Sequence, residues 1–174
     1  NGRLHRQARD LEGRGHAHVL YEFDKKGKAI SQEIASGKSK KPDKKVFYDG
    51  SGQVTRQCTD SDGDGDFEIQ LTFENGVASH ALLDSNNDGR ADRREIYRDG
   101  ALVRVEADTN GDRRPDVVQE YEGQTIVQQE EDTDFDGKID VRFRAGKPVE
   151  LKGTVKAPRA VPEIECGQFG SFWN

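Results

Sequence analysis

The sequence DSDGDGDFE occupies residues 60–68, and three close variants follow it along the chain. The variants are DSNNDGRAD at 84–92, DTNGDRRPD at 108–116 and DTDFDGKID at 132–140. Each stretch begins 24 residues after the one before it. An unbroken period of this length indicates a repeat architecture, in which each unit packs on its neighbours. We name the four stretches loops 1 to 4 and number their positions 1 to 9.

The segments between the loops predict β-hairpins. Glu68–Phe73 alternates polar and apolar residues, as a half-buried strand does. Asn75-Gly76 follows, which is a strong short-range hairpin signal, and Val77–Leu83 is the predicted return strand. The later units repeat this order with predicted turns at Asp99-Gly100, Glu122-Gly123 and Ala145-Gly146. No window has a helical period.

The loops carry the oxygen-rich pattern that a calcium site needs. Positions 1, 3 and 5 are Asp or Asn in every loop, and position 9 is Glu or Asp. Ca²⁺ takes about six to eight oxygen ligands, whereas Mg²⁺ demands near-ideal octahedral geometry and keeps its waters. Position 7 would donate its backbone carbonyl, and Gly65, Gly89 and Gly137 allow a sharp turn at position 6.

These positions define the predicted ligands of about three to four Ca²⁺ ions. The ligands are Asp60, Asp62, Asp64, Asp66 and Glu68 in loop 1; Asp84, Asn86, Asp88, Arg90 and Asp92 in loop 2; Asp108, Asn110, Asp112, Arg114 and Asp116 in loop 3; and Asp132, Asp134, Asp136, Lys138 and Asp140 in loop 4. Asp66, Arg90, Arg114 and Lys138 are the position-7 residues, which contribute their backbone carbonyls.

The four loops resemble the Asp-x-Asp-x-Asp-Gly calcium loops shared by EF-hands, dockerins and thrombospondin type 3 repeats. This resemblance covers four stretches of nine residues and implies calcium binding. Two features depart from the EF-hand: the flanking segments read as strands, and its position-12 Glu is absent. That position holds Leu71, Glu95, Gln119 and Phe143. Arg113 replaces glycine at position 6, which predicts loop 3 as the weakest site.

The N-terminal third has the pattern of the same repeat unit, but its loops lack several of the acidic residues. One loop contains Asp10, Glu12, Arg14 and His18, and the next begins at Ser36 with Lys38 and Lys40 at positions 3 and 5. Lysine cannot ligate Ca²⁺, so no metal site is predicted in this third. The hairpins Tyr21-Glu-Phe-Asp24 and Phe47-Tyr-Asp-Gly50 resemble the YD-type β-repeats of bacterial surface and toxin proteins.

The composition is too polar for a thick globular core. Hydrophobic residues make up 32% of the chain and charged residues 34%, and the mean hydropathy is −0.95. Either disorder or a thin repeat structure would fit these values, and the strict period favours the repeat. The net charge of −6 argues against a nucleic-acid partner, and no segment is apolar enough to span a membrane.

The C-terminal residues lose the repeat pattern. Ala157–Pro162 reads as an extended linker, and the aromatic tail Glu165–Trp173 is predicted to cap the open end of the array rather than to bind a partner. Cys58 and Cys166 could form a disulfide that ties this tail back, although sequence alone does not prove the pairing. The chain lacks methionine and begins mid-repeat, so we expect it to be a processed piece of a longer protein.

Three other kinds of functional site have commoner structural explanations or no supporting motif in this sequence. His16 and His18, on a predicted strand, could bind zinc with Glu22 or His5, but solvated histidines are the commoner case. The basic run 38–45 could contact an anionic polymer, although such runs are more often solvated loops. No nucleophile constellation or phosphate-binding loop is present, and a glycosidase carboxylate pair stays open on spacing alone.

The predicted fold is all-β: tandem antiparallel β-hairpin repeats of 24 residues joined by calcium-binding loops, in an elongated or single-layer curled sheet. Three segments are predicted within one continuous array: degenerate hairpins at 1–59, calcium-loop hairpins at 60–153, and a linker with a capping tail at 154–174. The predicted function is non-enzymatic, a calcium-binding structural or adhesive module of a secreted or cell-surface protein or assembly.

Two other functions stay open. One is a polysaccharide-binding array, and the other is a hydrolase or its accessory domain. The predicted partner is a protein or polysaccharide at the cell surface, and membership of a larger assembly stays open. The expected location is extracellular, periplasmic or cell-surface, because millimolar calcium outside the cell suits weak structural sites.

Overall fold

The computed structural model describes residues 5–37 and 41–167 of the chain. These residues divide into two compact units: the described residues up to 76, with 165–167, form the first unit, and residues 77–164 form the second. The described residues form β-strands and no helix, so none of them lies in a helix able to cross a membrane. The predicted all-β class is therefore confirmed.

The first unit contains six strands that pair antiparallel in chain order. They are β1 (Arg6–Arg9), β2 (Val19–Phe23), β3 (Ala29–Ile34), β4 (Lys44–Tyr48), β5 (Val54–Thr59) and β6 (Ile69–Glu74). Three nine-residue loops, at 10–18, 35–43 and 60–68, connect β1 to β2, β3 to β4 and β5 to β6. All three loops lie at the same edge of this sheet, because antiparallel strands joined alternately by loops and short turns return to that edge.

The second unit repeats this arrangement. Its strands are β7 (Val77–Leu83), β8 (Arg93–Arg98), β9 (Ala101–Ala107), β10 (Val117–Glu122), β11 (Thr125–Glu131), β12 (Lys138–Ile139), β13 (Val141–Arg144), β14 (Lys147–Val149) and β15 (Val155–Lys156). Strands β7–β11, β13 and β14 pair antiparallel in that order, and β12 pairs separately with β15. Loops 2, 3 and 4 therefore lie at one edge of the second unit's sheet. The predicted antiparallel hairpins are confirmed.

Short glycine turns close the hairpins opposite the acidic loops. Asn75 and Asp99 both have φ 52, and each is followed by a glycine with positive φ, as a two-residue turn of type I′ requires. The turn predicted at Glu122-Gly123 is wrong by one residue. Strand β10 continues through Glu122, which pairs with Thr125, so the turn consists of residues 123 and 124.

The two hairpin turns in the first unit are longer and share one aspartate-centred geometry. Asp24 Oδ1 accepts hydrogen bonds from the N–H groups of Lys26 (2.8 Å) and Lys28 (2.9 Å). Asp49 Oδ1 accepts from the Ser51 hydroxyl (2.7 Å) and N–H (2.8 Å), and from Gln53 N–H at 2.9 Å. The Ser51 hydroxyl bond is the largest contribution that lowers the pKa of Asp49 below its ordinary 3.8. In the Asp24 turn the Lys28 N–H bond has this role.

The apolar core of each unit is small. The first unit buries Val19, Leu20, Ala35, Val46, Cys58, Phe67 and Cys166, and the second buries Ala81, Leu82, Val105, Val118, Ile139 and Val161. Charged pairs also connect neighbouring strands of both sheets. Glu106 on β9, only 2% exposed, accepts a hydrogen bond from Arg104 Nε at 2.8 Å and pairs with Arg94 on β8. The polar composition is thus accommodated by ion pairs across strands.

Candidate metal centres

The first residue of each acidic loop organises the turn through its own carboxylate. In loop 1, Asp60 is buried and accepts hydrogen bonds from the N–H groups of Gly63 (2.6 Å) and Gly65 (3.0 Å). The other loops have equivalent bonds: Asp84 accepts from Asp88 and Gly89, Asp108 from Gly111 and Arg113, and Asp132 from Asp136 and Gly137. Two backbone donors per carboxylate curl each loop around positions 3 and 5.

Positions 3 and 5 continue this pattern as a series of Asx turns. In loop 1, Asp62 Oδ1 accepts from the N–H of Asp64 at 3.0 Å, and Asp64 Oδ1 accepts from the N–H of Asp66 at 2.8 Å. The same pairs of bonds involve Asn86 and Asp88, Asn110 and Asp112, and Asp134 and Asp136. Each bond brings a side-chain oxygen back toward its own loop.

Position 9 closes each loop by accepting hydrogen bonds from position 2. In loop 1, Glu68 Oε2 accepts from the hydroxyl of Ser61 at 2.7 Å and from its N–H. The equivalent pairs are Asp92 with Ser85, Asp116 with Thr109, and Asp140 with Thr133. In loop 4 the Thr133 bonds, first from its N–H and then from its hydroxyl, lower the pKa of Asp140. Sequence reasoning missed position 2, although Ser or Thr in every loop was the signal.

Positions 4 and 6 adopt left-handed backbone in all four loops. Position 4 is Gly63, Asn87, Gly111 or Phe135, with φ of 84, 57, 79 and 62. At position 6, Arg113 has φ 76 and its N–H reaches Asp108 Oδ2 at 2.7 Å. Loop 3 therefore closes as the others do, although it lacks glycine there. The sequence predicted the sharp turn at position 6, where glycine recurs, but not the left-handed conformation at position 4.

This scaffold brings the acidic side chains together in three of the four loops. In each group, one carboxylate oxygen from every member lies within 4.8 Å of those from the others. The groups are Asp60, Asp62, Asp64 and Glu68 in loop 1; Asp108, Asp112 and Asp116 in loop 3; and Asp132, Asp134 and Asp136 in loop 4. Among the described residues, loop 2 has no group of three acidic side chains, and Asp140 lies outside the loop 4 group.

Loop 1 contains an unsatisfied buried oxygen. Glu68 is 7% exposed, and its Oε2 accepts the two bonds from Ser61. Its second oxygen, Oε1, is buried without a hydrogen-bond partner among the described residues. Buried polar groups in proteins are almost always paired, and a carboxylate oxygen in this state needs a donor or a cation. Because Glu68 belongs to the group with Asp60, Asp62 and Asp64, a cation is the partner that would also relieve the repulsion among them.

Cationic side chains from position 7 reach loop 4. The Lys138 ammonium pairs with the Asp136 carboxylate, and the hydrogen bond between them raises the pKa of Lys138. Arg114 of loop 3 extends to Gly137, where its Nη1 lies 2.8 Å from the position that a Cβ would take. Loop 4 therefore already has a positive charge on one of its predicted ligands.

The loop beginning at Asp10, the Asp10 loop, keeps the same turn but replaces an acidic ligand with a guanidinium. Asp10 accepts hydrogen bonds from the N–H groups of Arg14 (2.9 Å) and Gly15 (2.8 Å), and the Arg14 bond is the largest cause of its lowered pKa. The Arg14 guanidinium donates to Glu12 and to the carbonyl oxygens of Ala35 (2.9 Å), Ser36 (3.2 Å) and Gly37 (2.8 Å). The guanidinium thus links Glu12 of this loop to the carbonyls of the following loop.

The next loop is one residue out of phase with our prediction. Ser36 N–H donates to Asp43 Oδ1 at 2.8 Å, which is the bond from position 2 to position 9 in the acidic loops. Ala35 N–H donates to the carbonyl of His18, as position 1 of loop 3 does to position 9 of loop 2. Ala35, not Ser36, is therefore position 1, and this loop lacks the organising carboxylate. Lys38 and Lys40, which were assigned to positions 3 and 5, lie outside the described residues.

The two histidines do not share a strand face as predicted. Both lie in the Asp10 loop, before β2 begins at Val19. His18 is buried, with Nδ1 3.3 Å from Asp10 Oδ1 and Nε2 3.9 Å from Glu12 Oε1. Its ring nitrogens thus face two different carboxylates. Among the described residues, no group of three metal-ligating side chains includes a histidine.

The predicted disulfide is confirmed in the first unit. Cys58 on β5 is bonded to Cys166, with a Cα–Cα distance of 6.1 Å across a sequence separation of 108. Beside it, Glu165 N–H donates to Gln70 Oε1 at 2.8 Å, so the described end of the tail is fixed to β5 and β6. The tail's aromatic residues, which were predicted to cap the array, lie outside the described residues. They are Phe169, Phe172 and Trp173.

The predicted linker is partly structured against loop 4 in the second unit. Strand β15 pairs antiparallel with β12, which belongs to loop 4. Ala157 N–H then donates to the Gly137 carbonyl at 3.1 Å, and Val161 is 8% exposed. The C-terminal segment therefore runs along the loop edge of this unit.

Comparison with known proteins gives no relative from which a function follows. No family model matches the chain. No curated protein matches it. Among solved structures, the crystal structure of accessory secretory protein 1,2 and 3 in Streptococcus pneumoniae is similar with a TM-score of 0.45 and 17% sequence identity. The match covers 62% of this chain and 20% of that chain, so it spans about a fifth of the other protein's length.

Proposed function

We propose that this chain is a calcium-binding structural module, in which Ca²⁺ ions hold the acidic loops of its hairpin repeats. The observation that carries the proposal is the buried Oε1 of Glu68, unpaired among the described residues in a loop with three further carboxylates. Leaving a buried acceptor unsatisfied costs roughly 1–3 kcal/mol, and more when the group is charged. A bound cation removes this cost.

Calcium suits this loop better than other common cations. Every side chain in the loop 1 group offers only oxygen, which is the ligand atom of hard cations, whereas zinc favours nitrogen and sulfur. Calcium also accepts variable geometry, as expected for side chains supplied at alternate positions of a flexible loop. Mg²⁺ would retain several waters and gain less from four carboxylates.

We rank the four loops by the acidic groups that they assemble. Loop 1 has four carboxylates and binds most tightly. Loops 3 and 4 have three each, and Lys138 weakens loop 4 by competing for Asp136. Loop 2 binds most weakly. This order replaces the expectation from sequence that Arg113 makes loop 3 the weakest.

The ions would stabilise a fold that has little apolar core. A ligand that binds only the folded state adds about 2.7 kcal/mol at a concentration one hundred times its dissociation constant. For a chain with small cores and many charged pairs, a few such sites are a large share of the total stability. The ions also remove repulsion among carboxylates at one edge of each sheet.

The setting proposed for this module is a secreted or cell-surface protein or assembly. The Cys58–Cys166 disulfide supports an oxidising compartment, because disulfides are rare in reducing cytosol. Millimolar calcium outside cells would fill sites of moderate affinity. The role proposed is structural and adhesive rather than enzymatic, with a protein or polysaccharide of the cell surface as partner.

The test is thermal unfolding in excess chelator and in millimolar calcium. We expect chelation to lower the melting temperature by many degrees, and the Asp64→Ala, Asp136→Ala double variant to lose part of this calcium effect. Asp66→Asn is the matched control, because it removes one negative charge from loop 1 but leaves the position-7 carbonyl in place. An unchanged melt in chelator, with no metal retained by mass spectrometry, refutes the proposal.

A further inference from the structure

A cleft in the second unit brings two arginines from neighbouring loops together with the C-terminal segment. Its lining includes Arg90 of loop 2, Arg113 of loop 3 and residues 160–163. The cleft has a volume of about 300 Å³, at the lower end of the range for small-molecule sites. Val161, which is buried, and Pro162 form an apolar part of its wall.

Arg90 and Arg113 have no ion-pair or hydrogen-bond partner for their side chains among the described residues, a state they share with Arg98, Arg114 and Arg159 but not with several arginines on the strands. Arg94, Arg104 and Arg142 all pair with glutamates across neighbouring strands. Arg90 and Arg113 are exposed, and no side chain in the described part of the chain forms an ion pair or hydrogen bond with either guanidinium. Each guanidinium therefore has its donors available to a ligand.

Arg113 also has an unfavourable backbone conformation. It has φ 76 at position 6, where the other three loops have glycine. A side chain in left-handed backbone is disfavoured, and glycine would meet the same turn without that penalty. Non-glycine residues in left-handed backbone cluster at functional sites, although Phe135 in loop 4 also has φ 62. The loop geometry does not call for an arginine at position 6, and the Arg113 side chain lines the cleft.

We propose that this cleft binds the carboxylate group of a small organic anion. The guanidinium fork matches the planar carboxylate and can donate two hydrogen bonds to it. Glu163 also lines the cleft, so the two arginines and this glutamate leave one net positive charge. That charge complements one carboxylate group of a ligand better than a phosphate dianion. Val161 and Pro162 would contact the carbon skeleton of the ligand.

The test is calorimetric titration of the intact protein with two carboxylate probes, trigalacturonate and triglutamate, in one calcium-containing buffer. Neutral trigalactose is the control ligand. We expect millimolar or tighter binding of at least one acidic probe, weakened about tenfold by Arg113→Gly, which is the loss of a charge-assisted contact. Arg98→Ala, which removes an exposed arginine at the hairpin edge, should leave binding unchanged. Glu163→Gln should tighten it several-fold by removing the repelling carboxylate.

The outcomes separate this proposal from the calcium proposal. Arg113→Gly is expected to melt at the same temperature as the wild type or a higher one, because glycine relieves the left-handed strain. Arg90→Ala tests the cleft without altering loop 3. Binding of trigalacturonate alone identifies a uronate-type ligand, and binding of triglutamate alone identifies an acidic peptide. No binding of either probe, or equal affinity in the wild type and both arginine variants, overturns the cleft proposal. The calcium proposal rests on chelator melts and is unaffected by either result.

Discussion

Replacing Glu68 with glutamine should raise the stability of the calcium-free protein and reduce the stabilisation that calcium adds. In the calcium-free protein, Glu68 belongs to the acidic group of loop 1, and its buried Oε1 has no hydrogen-bond partner in the described part of the chain. Glutamine keeps an acceptor for the Ser61 bonds and presents an amide N–H₂ where the unpaired oxygen lies. That donor would face acceptor oxygens rather than repel them. With calcium, the same change removes a charged ligand.

The expected magnitudes follow from these two states. Relief of the unsatisfied oxygen is worth roughly 1–3 kcal/mol without calcium. For a chain of this length each kcal/mol moves the melting temperature by about 2–4 °C, so the calcium-free variant should melt about 2–12 °C higher than the wild type. Loss of one site at one hundred times its dissociation constant removes about 2.7 kcal/mol, so the calcium-induced shift should shrink by about 5–11 °C.

Differential scanning calorimetry in chelator and in calcium measures both effects. Asp66→Asn is the matched control. It should change the melting temperature in chelator, and the shift caused by calcium, less than Glu68→Gln does. If the Glu68→Gln variant melts lower than the wild type in chelator, the unpaired oxygen is not a source of instability and the reasoning fails. If its calcium shift equals that of the wild type, Glu68 is not a ligand.

Three further results are expected. Arg14→Ala should lower the free energy of unfolding by roughly 2 kcal/mol in chelator and in calcium alike, as measured by denaturant titration, because the guanidinium acts without metal. Cys166→Ser should cost up to about 4–5 kcal/mol in the same assay, since the disulfide closes a loop of about one hundred residues. Ser51→Ala should raise the pKa of Asp49 toward 3.8 in a carboxyl NMR titration and leave Asp24 unchanged. Because the folded pKa of Asp49 is lowered, its stabilising effect is present above pH 3.8 and is lost as the pH falls through the folded pKa.

The strands and most hairpin turns could be predicted because their signals are local. Alternation of apolar and polar residues identified β6, and Asn75-Gly76 identified the turn after it, since only a few residue types accept left-handed backbone. The acidic positions were equally visible, because a carboxylate organises a loop through bonds to N–H groups two to five residues away. The disulfide could also be proposed without structural information, because the two cysteines of the chain allow only one pairing.

The features that were missed depend on contacts distant in sequence or on atypical residues. Arg14 was read as a damaged ligand, whereas its guanidinium reaches carbonyls more than twenty residues away. The Ala35 loop was assigned the wrong phase because it has no carboxylate at position 1, and only its backbone bonds reveal the register. Phe135 gives no sequence signal for positive φ, yet Asp132 holds that turn through two later N–H groups.

The Cys58–Cys166 bond has a consequence for how the chain withstands proteases. Any single cut of the backbone between these two cysteines leaves the products covalently joined, and this span includes all of loops 1 to 4 and the turns between them. Exposed turns are the usual places for such nicks. A nicked molecule would therefore run as one species on a non-reducing gel and separate into two fragments only after reduction. Damage at any of these turns would leave the repeats attached to one another.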